Sequence, residues 1–272
     1  MKRIWILWAV LWMAAAAGGA AESVLLVADE IPAMEILARH LKQAGYEARV
    51  VTQAGMPARL DGHAAVGVYI HRQLSEPVEK ALIEYTRGGG RLLVLHHSIS
   101  SGKRKNRWWF ELLGVELPAG PVDQGGYQWT EGVEMRIVNL APGHCVTSRG
   151  IEYPERILWP ADDSAPAPAT LRDAFHLEDT EVYLNHRHTG PRTVLLGLEY
   201  RDAKSGQVYR QATAGWCRPA GAGWIYYFMP GHSAAEFEGG VYPRLLVNAL
   251  SCPPGAGAGQ PGSGALAADA KP

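Results

Sequence analysis

Histidines stand at the ends of apolar runs in this sequence, where a strand would give way to a loop. The segment "GGGRLLVLHHSIS" places His96 and His97 directly after an apolar run, and "GWIYYFMPGH" ends another such run at His232. An imidazole in this position can act as a general base, donate a hydrogen bond to a hydroxyl group or bind a metal. We expect His96 and His232 to be functional, and we interpret His97 as structural.

Two further motifs carry residue types that could join the same site. "APGHCVTSRGI" places His144 in a Pro-Gly loop, and "LEDTEVYLN" places Glu181 and Tyr183 two residues apart. Because side chains alternate between the faces of a strand, Glu181 and Tyr183 would lie side by side. The interpretation of Glu181 as a surface carboxylate stays open. His186 and His188 follow in a polar stretch, and we interpret them as solvent-facing.

The motifs exclude some chemistry and leave other chemistry open. The sequence has no G-x-S-x-G motif and no cysteine at the turn after an apolar strand, so neither serine hydrolysis nor thiol amidotransfer is indicated. It also has no H-E-x-x-H motif. A divalent metal held by some of the candidate residues remains an open alternative. The residues in question are His96, His144, Glu181 and His232.

The elements that must position these residues alternate in the first half of the chain. Apolar runs predict strands at "SVLLVAD", "EARVVT", "AAVGVYIH" and "RLLVLHH", and helical spacing predicts helices at "IPAMEILARHLKQAGY" and "SEPVEKALIEYTRGGG". This alternation predicts a parallel sheet with helices on both faces. Ligands of such sheets bind beyond the carboxyl ends of the strands, where Asp29, His71, His96 and His97 would lie.

The second half of the chain has a different pattern. Strand-like stretches at "GYQWTEGVEMRIVN", "TVLLGLEYRD" and "GWIYYFMPGH" precede a final helix at "EGGVYPRLLVNALS". This order predicts an antiparallel or mixed extension of the sheet, with the last helix packed against it. No linker separates the two halves, so we expect one domain over residues 22–252.

The two ends of the sequence differ from this domain. Residues 1–21 have the basic start, apolar core and small-residue end of a signal peptide, which predicts export to the periplasm or the extracellular space. Residues 253–272 are rich in Gly, Pro and Ala, which predicts a disordered tail. Three cysteines leave at least one thiol without an intramolecular partner, and a Cys217–Cys252 bridge is one conceivable pairing.

The composition of the chain limits the classes of partner that it is expected to bind. The chain has 272 residues, a formal net charge of -1 and 47% hydrophobic residues, so nothing in its charge indicates a nucleic-acid partner. The short basic segment "SGKRKNRWW" is interpreted as a solvated loop or helix start. After removal of the signal peptide, no membrane association is expected.

Taken in order, the motifs resemble those of the ThuA-like (trehalose utilisation) family. The resemblance is strongest over "TAGWCRPAGAGWIYYFMPGHSAAEFEGGVYPRLLVNAL", and it extends from Ser23 to Cys252. It implies a class I glutamine amidotransferase-like fold, a flavodoxin-like three-layer sandwich that has lost the nucleophilic cysteine, with His96 in its place. The chain departs from the family pattern at Cys145, Thr180 and Trp224.

The resemblance also implies a role in the catabolism of disaccharides or keto-sugars. We expect an exported enzyme that uses acid–base chemistry on a small carbohydrate, as a lyase, isomerase or hydrolase, with His96 and Glu181 as the catalytic residues. The expected substrate-binding residues are His144, Tyr183, Trp216 and His232. A non-catalytic carbohydrate-binding domain is the alternative. Some tryptophans could stack on sugar rings or simply pack in the core, namely Trp108, Trp109, Trp129 and Trp216.

Overall fold

A ten-stranded mixed sheet forms the centre of the chain. The computed structural model describes residues 21–160 and 169–253, so nearly all of the predicted signal peptide and tail lie outside the described residues. The strands are β1 (Ser23–Ala28), β2 (Glu47–Val51), β3 (Ala65–Tyr69), β4 (Arg91–Leu95), β5 (Val115–Glu116), β6 (Gln128–Asn139), β7 (Glu155–Trp159), β8 (Thr170–Leu184), β9 (Arg187–His188), β10 (Thr193–Arg201), β11 (Val208–Ala220) and β12 (Gly223–Phe228). The helices are α1 (Ile31–Gln43), α2 (Glu76–Arg87), α3 (Trp109–Leu113), α4 (Cys145–Ser148) and α5 (Val241–Ser251).

The parallel half of the sheet has the order β2-β1-β3-β4-β12. Strands β1, β3, β4 and β12 are buried almost throughout, as in β3, where all residues are buried, whereas the edge strand β2 is partly exposed. Strands covered on both faces need continuous apolar runs, which is why periodicity of two is missing from their sequences. Each buried Val or Leu side chain contributes about 1.5–3 kcal/mol relative to an exposed one. The predicted parallel sheet with covering helices is confirmed.

The other half of the sheet is antiparallel, in the order β12-β11-β10-β6-β8-β7. This confirms the predicted antiparallel extension. Strand β12 joins the two halves, because it runs parallel to β4 and antiparallel to β11. The pairing of Phe228 with Leu95 brings the ends of β12 and β4 together. The residues that follow these two strands, Met229 and His96, are therefore neighbours.

The end of the domain is tied to α4. A disulfide joins Cys145, at the start of α4, to Cys252, which follows α5. Cys217 is a buried free thiol on β11. The bridge that the sequence left conceivable, between Cys217 and Cys252, is therefore replaced by Cys145–Cys252, because α4 and α5 pack against each other while Cys217 lies inside the sheet.

The short basic segment after β4 is not simply a solvated loop. Lys103 is fully buried, and its ammonium group donates to the carbonyl oxygens of Ile70, His71 and His97 at 2.7, 2.9 and 3.0 Å. The interpretation of this segment as solvated is therefore wrong for Lys103. A buried ammonium group needs such acceptors, and the loop carbonyls provide them.

Among the helices in the described ranges, none is long and apolar enough to span a membrane.

Candidate functional site

His96 lies at the point where β4 turns into a short 3₁₀ helix, His96–Ile99. Its φ angle of 42° is in the left-handed region, which few non-glycine residues adopt. The side chain is fully buried. A strained residue at the end of a parallel strand is the geometry that α/β enzymes use to present a reactive group.

The orientation of the His96 ring is fixed from one side by the backbone. Its Nδ1 atom is hydrogen-bonded to the carbonyl oxygen of Met229, just after β12. A carbonyl oxygen only accepts, so Nδ1 carries the proton of this bond. The Nε2 atom is then directed at Oε2 of Glu181, 2.9 Å away.

Glu181 contacts three other side chains of the cluster. Its Oε2 atom also accepts a hydrogen bond of 2.5 Å from the hydroxyl of Tyr183, and it lies 3.7 Å from Nδ1 of His232. Burial by itself would raise the pKa of Glu181, but the nearby His232 and His96 rings outweigh it and hold the pKa well below its usual value. The carboxylate is therefore ionised.

His232 is the most accessible side chain of the cluster. Its side chain is 27% exposed, whereas His96 and Tyr183 are buried. The Glu181 carboxylate, 3.7 Å from Nδ1 of His232, raises the pKa of His232 above its ordinary value. Its turn is fixed by Glu236, whose carboxylate accepts from the backbone nitrogens of Gly231 and His232 at 2.8 and 3.1 Å.

The cluster also has the donor atoms of a metal site. One ligand atom from each of four residues lies within 4.8 Å of the others. Two of them, His96 and Glu181, already bond each other, and the carbonyl oxygen of Met229 holds the other ring nitrogen of His96, as is common for histidine ligands. The residues of this group are His96, His97, Glu181 and His232.

The long antiparallel pair of strands β6 and β8 places Glu181 and Tyr183 at the carboxyl edge of the parallel strands. The two residues lie side by side on β8, paired with Glu131 and Trp129 of β6. Tyr183 is buried, and Glu181 is nearly so, although a surface carboxylate was an equal expectation. The site thus draws on two strand ends, β4 and β12, and on one long strand from the antiparallel half.

His144 is placed elsewhere. Its ring caps α4 by accepting a hydrogen bond from the backbone nitrogen of Val146 at 3.2 Å, and it is not in the group around Glu181. The Pro-Gly loop that distinguished His144 in the sequence is the entry to a short helix, and the imidazole satisfies one of its free N–H groups. The expected convergence of His144 with the other three residues is therefore not found.

Trp216 is fully buried, with its ring 5.4 Å from that of Tyr227 and 4.4 Å from the guanidinium carbon of Arg192. A ring enclosed in this way does not present a face to a sugar, so the expected stacking role of Trp216 does not fit its burial. Trp109 is also fully buried. Trp129, which pairs with Tyr183 across strands β6 and β8, is 49% exposed.

His186 was predicted to face solvent, and this prediction is wrong. Its ring is buried and stacks on Tyr127 with 5.4 Å between centroids. Burial lowers its pKa to about 3. His188 is only partly exposed, and burial lowers its pKa to about 3 as well. The polar residues beside these histidines in the sequence did not indicate that their side chains are buried, because residues from distant segments cover them.

These features define a class of protein. A sheet with a parallel half and an antiparallel extension, and a strained residue after a central parallel strand, fits the class I glutamine amidotransferase-like fold that the sequence predicts. Here a histidine occupies the strained position. The sequence matches the model of the ThuA family, described as trehalose utilisation, over residues 23–251. The chain belongs to the ThuA family.

Solved structures agree with this fold. A ThuA-like protein from Bacteroides uniformis ATCC 8492 superposes with a TM-score of 0.60 at 16% identity, over 87% of this chain and 93% of the other. A beta-galactosidase from Bacillus circulans sp. alkalophilus superposes with a TM-score of 0.52 at 10% identity, over 85% of this chain and 31% of the other. A search among curated protein sequences found no significant match.

Proposed function

We propose that this chain is an exported enzyme that acts on a small carbohydrate, either a disaccharide or an oxidised sugar, by transferring protons. The family match to trehalose utilisation supports the substrate class. The observation that carries the catalytic proposal is the cluster around Glu181 at the carboxyl edge of the parallel strands, in which an ionised carboxylate is bonded to His96 and Tyr183 and lies 3.7 Å from Nδ1 of His232. That edge is where ligands of such sheets bind.

The side chains of the cluster differ in their exposure, and this difference assigns their catalytic roles. His232 is the member that a substrate can reach, so it exchanges the proton with the substrate. Glu181 fixes the orientation of His232 and stabilises its charged form, as the carboxylate does in a catalytic triad. His96 lies behind Glu181 and holds it in place through the Nε2 contact at 2.9 Å. Tyr183 adds a second donor to the same oxygen.

This arrangement suits removal of a proton beside the carbonyl group of an oxidised sugar. His232 in its neutral form accepts the proton from the carbon and becomes an imidazolium ion, which the Glu181 carboxylate stabilises. The same imidazolium ion then returns the proton to a leaving oxygen or to another carbon, so elimination and isomerisation both balance. General acid–base catalysis of this kind contributes about 10²–10⁴ in rate.

The test compares wild-type protein with Glu181→Gln on trehalose and on 3-keto-trehalose, with products followed by NMR and mass spectrometry. We expect conversion by the wild type and a loss of about 10²–10⁴ in kcat for the variant, since the amide cannot stabilise an imidazolium ion. Glu178→Gln is the matched control, because Glu178 lies on the same strand with an exposed side chain. Equal rates in all three proteins would reject the assignment.

A non-catalytic carbohydrate-binding domain is the second candidate. The burial of His96 and Tyr183 favours it, since these side chains could simply stabilise the sheet edge. The same variant separates the two candidates. An enzyme with Glu181→Gln keeps its affinity for the sugar and loses turnover, whereas for a binding domain calorimetry would show affinity without conversion in any variant.

Export rests on a separate set of observations. The predicted signal peptide gives the direct argument, and the Cys145–Cys252 disulfide supports it, because disulfides persist mainly outside the cytoplasm. Fractionation of cells that express the full chain tests this. We expect the protein in the exported fraction, with a new amino terminus near residue 22. A cytoplasmic protein with an intact amino terminus would contradict it.

A further inference from the structure

Beside the cluster around Glu181 lies a second group of side chains, at the ends of three neighbouring parallel strands. Glu30 follows β1, His71 follows β3 and His97 follows β4. One ligand atom from each of these residues lies within 4.8 Å of the other two. We propose that Glu30, His71 and His97 form a binding site for a divalent transition metal such as Zn²⁺.

The distances between the side chains fit such an ion. Oε1 of Glu30 lies 3.5 Å from Nδ1 of His71 and 3.5 Å from Nε2 of His97. A tetrahedral zinc ion with bonds of about 2.0–2.1 Å keeps its ligand atoms roughly 3.3–3.5 Å apart. The same separations are too long for good hydrogen bonds, which have heavy-atom distances of about 2.7–3.2 Å.

His97 supplies an independent observation. The residue is 3% exposed, and its Nε2 atom is buried without a hydrogen-bond partner among residues 21–160 and 169–253. Buried side-chain nitrogens nearly always have a partner. This nitrogen instead lies 3.5 Å from Oε1 of Glu30, the separation expected for two ligand atoms of one ion.

The backbone around the group is held rigidly. The backbone N–H of His71 donates one bifurcated hydrogen bond to both carboxylate oxygens of Asp29, at 3.0 and 2.9 Å. The buried ammonium group of Lys103 donates to the carbonyl oxygens of both His71 and His97. Neighbours therefore fix the backbone of the two histidines in relation to each other, which helps to preorganise a metal site.

The donor set indicates the class of metal. Two imidazoles and one carboxylate are the ligands of many catalytic zinc sites, which keep a fourth position open. Oxygen-only ligands would suit Mg²⁺ or Ca²⁺ better. The side chains of His71 and Glu30 are 62% and 45% exposed, so the open side faces solvent. Water or an oxygen atom of a ligand would complete the coordination.

The neighbouring group around Glu181 is the weaker candidate for the same ion. Two of its ligand atoms are already paired, since Oε2 of Glu181 lies 2.9 Å from Nε2 of His96 and also accepts from the hydroxyl of Tyr183 at 2.5 Å, whereas Nδ1 of His232 has no hydrogen-bond partner among the described residues. An ion there would have to displace those bonds. The two groups are close, with ring centroids of His96 and His97 4.8 Å apart. The test measures the affinity for the metal itself, so its result does not depend on the proposed reaction.

The experiment uses the full chain without an affinity tag, freed of metal by chelation. Zn²⁺ binding is followed by calorimetry and Co²⁺ binding by its absorption spectrum, with no sugar present. We expect one ion per chain, and at least a tenfold loss of affinity in His71→Ala and in Glu30→Gln. Both side chains are partly exposed, so these variants are expected to fold. Glu35→Gln, on the exposed face of α1, is the matched control and keeps full affinity.

Glu181→Gln locates the ion. If the ion lies between Glu30, His71 and His97, this variant binds it with unchanged affinity. Loss of binding in Glu181→Gln with retention in His71→Ala would place the ion in the neighbouring group and overturn the proposal. Absence of binding in the wild type, or equal affinity in all variants, would overturn it as well.

Discussion

At the scale of single residues, the site is organised by one carboxylate. Glu181 is bonded to a buried histidine and a buried tyrosine and lies 3.7 Å from a partly exposed histidine, and each contact stabilises its ionised form. The consequence for His232 is a pKa above the ordinary value of 6.5. A group with a raised pKa in the folded protein stabilises the fold below its unfolded pKa, and this contribution disappears as the pH rises through the folded pKa.

Titration of His232 by NMR tests this coupling. We expect its pKa to lie above 6.5 in the wild type and to fall in Glu181→Gln, because the amide carries no charge. If neutral His232 is the base, the acidic limb of the rate profile shifts to lower pH in the same variant. An unchanged pKa in the variant would show that Glu181 does not control His232.

At the scale of elements, the turn after β12 decides where His232 points. Gly231 has a φ of 116°, and a Cβ atom on it would lie 2.8 Å from the ring of Phe237 and 2.9 Å from the hydroxyl of Tyr242. Only glycine fits this turn without strain. The turn therefore cannot accept a side chain while Glu236 still holds it in place.

Gly231→Ala is expected to destabilise the protein by about 1–3 kcal/mol and to displace His232, with a loss of turnover larger than the loss of stability explains. Urea denaturation and kcat measure the two effects. Gly239→Ala is the control, since a Cβ atom there meets nothing within 4 Å. If both variants behave alike, the tight turn is not what orients His232.

The elements also show what the sequence could predict. The strands and helices of the first half were predictable, because each parallel strand is one continuous apolar run. The position of His96 after β4 followed from the same pattern. The insertion of β12 beside β4 was not predictable, since an apolar run does not reveal its neighbours. The burial of His186 and the capping role of His144 depend on contacts between distant segments, which periodicity does not report.

At the scale of the whole molecule, the disulfide closes a loop with a sequence separation of 107 residues. Such a link removes conformational entropy from the unfolded chain, and its typical contribution is about 2–4 kcal/mol. The double variant Cys145→Ala/Cys252→Ala should lose about that much free energy of unfolding. Peptide mapping without reductant identifies the bridge itself, and a map that links Cys217 to another cysteine would contradict the structure.

Buried histidines make the whole fold sensitive to acid. Burial lowers the pKa of His186 and of His188 to about 3, so below pH 6.5 the unfolded chain binds protons that the folded chain does not. Stability should therefore fall as the pH decreases from 6.5 toward 3, by about 1 kcal/mol per histidine and pH unit. Urea denaturation at pH 7 and pH 5 measures this. His186→Phe should weaken the dependence, and an unchanged pH dependence in that variant would contradict the assignment.

The position of β12 has a consequence for how the protein is made. Strand β12 spans Gly223–Phe228, yet it lies in the interior of the sheet between β4 and β11. A nascent chain that has not reached residue 223 therefore leaves the edge of β4 unpaired and the end of the site, with Met229 and His232, still to be synthesised. The sheet cannot close until nearly all of the domain has left the ribosome. The central sheet is therefore expected to complete its folding only after residues 223–228 have been synthesised.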